Sequence, residues 1–148
     1  MKTGALILAL VISFTFSTAL LAASFKVYPG ARVEEIYEAK QSETGAKTSK
    51  APKVIIFTTN DFFENVVAFY RGNAKEYRMT GTGGKPIRLS TGQELKEAYF
   101  IFDNASDIMT SKHWIKIQRP YLGRSQAREG FRGKEVTAII EEDKRSYP

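Results

Sequence analysis

The stretch that most constrains the fold is Lys53-Val54-Ile55-Ile56-Phe57-Thr58-Thr59, a β-branched run of strand length that is apolar on both phases. A strand apolar on both faces has to be covered on both, which predicts a central position in a sheet. The period changes immediately afterwards. Asp61 can accept free N–H groups of a first helical turn while Glu64 reaches back to the N–H of Asp61, a reciprocal cap worth about 1 kcal/mol. Phe63, Val66, Val67 and Tyr70 then recur at helical spacing, Phe62 and Phe69 widen the stripe, and Gly72 can end the helix in a left-handed conformation.

Around this unit the chain reads as strands and turns. Tyr28-Pro29-Gly30-Ala31 has the proline and glycine of a tight turn, residues 32–37 suit an edge strand, and residues 41–52 are a polar loop. Residues 75–80 and 87–90 flank a glycine-rich reversal, Thr91-Gly92 supplies another turn, and residues 97–103 form an aromatic, β-branched strand. Residues 104–111 read as a turn. His113–Arg119 alternates, with His113, Ile115 and Ile117 on one side and Trp114, Lys116 and Gln118 on the other, until Pro120 stops it. Residues 135–141 close the sheet through Val136, Ala138 and Ile140. One helix among several strands predicts an α+β fold, a curved antiparallel sheet with one main amphipathic helix packed on a face.

The first residues carry an address. Lys2 precedes an apolar run over residues 5–12 that continues through Phe14, Phe16, Leu20 and Leu21 and ends at Ala22-Ala23-Ser24. A cationic start, a short apolar centre and small residues at the end make a secretory signal peptide, here residues 1–24, leaving residues 25–148 as a single domain in the periplasm or outside the cell. An uncleaved anchor is the alternative, since residues 4–23 reach the roughly 20 apolar positions a membrane helix needs, though Ser13, Thr15, Ser17 and Thr18 weaken its second half. After cleavage no transmembrane anchor is expected. Ser24 stands where a lipoprotein signal requires cysteine, which excludes lipid attachment. The chain has no cysteine at all, so disulfides, thiol nucleophiles and thiolate metal sites are excluded too.

The formal net charge is +6, and the excess is concentrated in residues 112–134. There Lys112, Lys116, Arg119, Arg124, Arg128, Arg132 and Lys134 face a single acid, Glu129, with Tyr121 and Phe131 interleaved. Arginine forks match phosphate and carboxylate, and neighbouring aromatics stack on rings. The predicted binding residues are Lys116, Arg119, Tyr121, Arg124, Arg128, Arg132 and Lys134, and the predicted partner is an anionic envelope lipid, glycan or protein. No nucleic-acid recognition motif is present.

Catalytic signals are sparse. His113 is the one histidine and the weak candidate of an alternative reading as a cell-envelope hydrolase. Gly123-Arg124-Ser125-Gln126-Ala127 lacks the final glycine of a nucleophile elbow. A single imidazole without thiols predicts no metal site, and no cofactor motif appears. Gly81-Thr82-Gly83-Gly84-Lys85 leads into Pro86 and a strand, so it reads as a hairpin and not a phosphate-binding loop. The spacing of Asp61 and Glu64 is accounted for by the helix cap. The primary expectation is a non-enzymatic exported binding domain.

Tyr28-Pro29-Gly30-Ala31, followed by Thr59, Asp61 and Val66-Val67-Ala68-Phe69-Tyr70, resembles small exported proteins of Gram-negative bacteria that carry a "YPGA" entry and a "T-x-D…V-x-x-F-Y" helix. The similarity extends loosely over residues 115–121 and the last strand. It implies a periplasmic location and assigns no catalytic residue.

Overall fold

The computed structural model describes residues 23–38, 52–79, 85–123 and 133–145. Within them lie strands β1 (Arg32–Glu38), β2 (Lys53–Thr59), β3 (Lys75–Tyr77), β4 (Ile87–Arg88), β5 (Glu94–Ile101), β6 (His113–Arg119) and β7 (Thr137–Asp143), and one helix, α1 (Phe63–Arg71). Every strand pairing is antiparallel, in the order β1-β2-β7-β6-β5-β3, with β4 pairing the start of β5. The α+β class follows directly.

The expected central strand, β2, lies one place in from the edge strand β1, and β7 and β6 occupy the middle. Its apolar phases are still both used. Phe57 belongs to a core with Val66, Val67, Tyr70, Phe100, Phe102, Ile115, Ile117 and Ile139, whereas Val54 and Ile56 join Tyr121 and Ala138 in a second cluster. Each fully buried aliphatic side chain there contributes about 1.5–3 kcal/mol, so these clusters supply the main cohesion of a chain without cross-links.

The helix differs from expectation at both ends. Its N-cap is Phe62, so Glu64 stands too early to reach back to Asp61 and instead pairs with Lys96 of β5 at 2.5 Å. The Asp61 N–H donates to Thr59 Oγ1 (3.2 Å), and Asp61 Oδ1 accepts from Phe62 N–H and Asn65 Nδ2, each at 2.8 Å. Phe62 does not widen the stripe; it is 67% exposed. At the other end Gly72 is right-handed (φ −75°), and Asn73 Nδ2 satisfies the Phe69 carbonyl at 2.7 Å.

Ahead of β1 the chain makes the expected turn. Ala31 N–H donates to the Tyr28 carbonyl (3.0 Å) with Gly30 at φ +79°, a conformation that glycine adopts without Cβ strain. The preceding residues lie on the core: the Phe25 ring stacks on Tyr70 with centroids 6.0 Å apart, and Tyr70 Oη donates to the Lys26 carbonyl at 3.0 Å.

The last strand corrects the sequence reading most. It runs Thr137–Asp143, two residues beyond the expected span at its end, and Ala138 belongs to the second cluster, with Ile140 packed against it. On the phase shared with the helix-side core stand Thr137, Ile139, Glu141 and Asp143, because Ile139 pairs with Ile117 and Asp143 with His113.

Candidate functional site

The described members of the basic block do not converge. Lys116 and Arg119 stand three apart on β6 and so project from opposite faces of the sheet. Lys116 pairs with Glu97 at 2.6 Å and sits 5.9 Å from the Tyr99 ring centroid. Arg119 Nη1 donates to the Asp61 carbonyl (2.9 Å) and to Thr137 Oγ1 (3.1 Å), and its guanidinium lies 5.8 Å from the exposed Phe62 ring. Tyr121 is buried in the second cluster, and Lys134 pairs with Glu34 at 2.6 Å. Two reciprocal backbone bonds between Tyr121 and Lys134, each 2.9 Å, close the base of the connection. Arg124, Arg128 and Arg132 lie outside the described residues.

Two other arrangements hold chemistry. The first follows from an interrupted edge. Residues 99–101 of β5 pair with β3 and residues 94–95 with β4, but Lys96, Glu97 and Ala98 pair with neither. Here a cleft of about 340 Å³ opens between α1 and the strands. Its apolar floor includes Phe63, Val67, Leu95 and Ala98, and charged side chains line its rim. Arg71 grips Glu76 through two bonds of 2.7 and 3.1 Å, which hold the Glu76 carboxyl below the usual range. Arg78 and Lys85 line it too; Arg78 adds to the pull on the Glu76 carboxyl, and neither forms a close ion pair among the described residues. A volume in the range of small-molecule pockets, with an apolar floor and two cations without a close ion pair at its edge, suits a ligand with a hydrocarbon part and an anionic head.

The second is buried. Antiparallel pairing sets His113 opposite Asp143 and Ile115 opposite Glu141, which brings the imidazole and two carboxylates together on the core phase of β6 and β7. His113 is 1% exposed, and its Nε2 lies 2.8 Å from Glu141 Oε1. The ring contacts Phe102 (5.0 Å) and Phe25 (6.0 Å). Asp143, also buried, receives Arg145 as a fork, Nε to Oδ1 at 2.9 Å and Nη2 to Oδ2 at 2.6 Å. Ser111 Oγ bonds Asp103 and the main chain of His113, not the imidazole ring. His113 therefore has neither an adjacent serine nucleophile among the described residues nor an open face for substrate.

Sequence reasoning found His113 and its inward orientation but missed Glu141 and Asp143. The available signal was a pair of acids two residues apart at the end of an apolar strand; the reading followed the phase of Ala138 and Ile140, which packs in the second cluster, overlooked the helix-side phase, and counted only imidazoles and thiols as ligands. Arg78 and Lys85 were passed over because they flank a glycine-rich reversal. The residues behind the "YPGA" and "T-x-D" patterns meet each other: Tyr28 Oη donates to Asp61 Oδ2, and the Tyr28 ring packs edge-on against Phe69 with centroids 5.3 Å apart. That hydrogen bond, with those from Asn65 and the Phe62 N–H, holds the Asp61 carboxyl below its ordinary range and raises the Tyr28 hydroxyl. This contact fastens the entry segment to α1.

Among the described residues no helix is long and apolar enough to cross a membrane. The chain matches no protein-family model, no curated protein and no solved structure.

Proposed function

We propose that the protein is an exported, non-catalytic binding domain that takes an anionic amphiphile of the cell envelope into the cleft beside α1. The helix, laid across one face of a curved sheet, forms one wall. Phe63, Val67, Leu95 and Ala98 receive the hydrocarbon part, and Arg78 and Lys85 receive the anionic head. The observation that carries this reading is the coexistence of an apolar floor with two rim cations, Arg78 and Lys85, that form no close ion pair among the described residues. The signal-like leader, residues 1–24, supports a periplasmic or secreted location, where such amphiphiles are abundant. Arg124, Arg128 and Arg132 add positive charge to the same protein and favour approach to an anionic surface. The hydrolase reading on His113 lacks comparable support, since that ring is enclosed and bonded to Glu141.

Equilibrium binding of dodecyl phosphate, with dodecyl maltoside as the uncharged counterpart, tests the proposal. The phosphate should bind more tightly, its affinity should fall with added salt, and the Arg78→Glu/Lys85→Glu double variant should lose at least about tenfold, as expected when charge at a partly exposed site is reversed. Equal affinity for both amphiphiles, or a double variant that binds like the wild type, overturns it. Turnover of an envelope substrate that disappears in His113→Gln would replace binding with catalysis as the function.

A further inference from the structure

The geometry points to a second, independent site: His113, Glu141 and Asp143 hold one divalent first-row transition-metal ion. These residues each offer a ligand atom, and the three atoms lie within 4.8 Å of one another. The backbone fixes this proximity. Glu141 and Asp143 are two apart on β7 and share a face, while His113 is the cross-strand partner of Asp143 on the neighbouring strand. No loop has to close to bring the donors together.

Two further observations describe the surroundings of these donors. The first is charge. A buried carboxylate is tolerated when it is paired, and here two of them lie close together, Glu141 bonded to the imidazole and Asp143 to the guanidinium of Arg145. Two buried carboxylates side by side are also the oxygen donors that a dication takes. The second is the imidazole itself. Among the described residues Nδ1 of His113 is buried without a hydrogen-bond partner, although buried polar atoms are nearly always satisfied. Nε2 is the nitrogen turned toward Glu141 and so the one offered to the ion, while Nδ1 lies on the opposite edge of the 1%-exposed ring.

Donor type selects the ion. One imidazole nitrogen and two carboxylate oxygens suit Zn²⁺ or Mn²⁺, and the absence of thiolate disfavours softer ions. Phe25 and Phe102 flank the ring and limit water on that side. Arg145 is half exposed at its side chain, so it can leave Asp143 for solvent when a metal enters. In this reading the guanidinium occupies the cation's place and competes with it.

Calorimetric titration of the metal-stripped full chain with ZnCl₂ and MnCl₂, with MgCl₂ as the hard-ion control, tests the site. Zn²⁺ or Mn²⁺ should bind one to one and raise the melting temperature, as ligands specific to the native state do. Glu141→Gln keeps an acceptor for the imidazole while removing a charge, and it should weaken binding by more than about tenfold, as should Asp143→Asn. Arg145→Ala should tighten binding, which a purely structural role for the cluster would not produce. For Mn²⁺, the electron spin resonance spectrum should show nitrogen coupling that is lost in His113→Gln. The inference is overturned if the wild type binds neither ion at millimolar concentration, or if Glu141→Gln and Asp143→Asn bind as the wild type does. Should those variants fail to fold, Arg145→Ala decides: unchanged or weaker binding refutes the site.

Discussion

The cleft and the His113 cluster place charged groups at two ends of the same core, in opposite environments. At the cleft, near Ala98 and its partner Ile117, Arg78 and Lys85 sit on a rim where water solvates them. At His113, the charges lie on strand positions that elsewhere hold Ile115, Ile117 and Ile139. A rim charge is available to a ligand at little cost to folding. A buried carboxylate must find its partner within the fold, so its removal is felt first as lost stability. The two regions should therefore respond oppositely to mutation, one in stability and the other in binding.

The largest expected effect tests the buried side. Glu141→Ala removes the partner of an enclosed imidazole and opens space beside that ring, and it should cost about 3 kcal/mol in urea unfolding. A loss below about 0.5 kcal/mol would mean that water reaches this cluster and that the contrast is false.

A smaller effect, about 1 kcal/mol, belongs to the intermediate case of Glu97 and Lys116, which is partly buried on the opposite sheet face. Burial pushes the Glu97 carboxyl up, but the Lys116 ammonium, with Gln118 and Tyr99, prevails and holds it below the usual carboxylate range. A carboxyl lowered in the folded state contributes stability above its unfolded pKa, near about 4.3, and that contribution disappears as pH falls through the folded value. Wild-type stability should decline through that acid window. In Lys116→Met the contribution of this carboxyl should be smaller or reversed, as followed by urea midpoints at successive pH values.

The smallest stability effect is expected at the cleft. Replacing both Arg78 and Lys85 by Ala should shift unfolding by no more than about 0.5 kcal/mol, because the rim cations form no close ion pair among the described residues. A loss of about 2 kcal/mol would make the rim part of the scaffold and remove the distinction between the two ends.

How far the sequence could be read depended on whether a feature was local. The turn at Tyr28–Ala31, the strands Lys53–Thr59 and His113–Arg119, and the stripe Val66, Val67, Tyr70 all rest on near neighbours, and each was legible. The helix cap was misread because Thr59 and Lys96 compete for the groups that Asp61 and Glu64 would have exchanged. Lys96 lies on a strand whose position relative to α1 no spacing rule encodes. The basic block had the same weakness: its charge is continuous along the chain, but β6 turns Lys116 and Arg119 to opposite faces.

By itself the sequence determined that the chain makes an α+β fold around one amphipathic helix, without cysteine chemistry and with an apolar segment after Lys2, because composition and periodicity follow from neighbouring residues. The tertiary structure alone decided that Glu141 and Asp143 meet His113, and that an interrupted edge opens a cleft beside α1. Both depend on strand register, and register is fixed by which distant residues bury their apolar phase together.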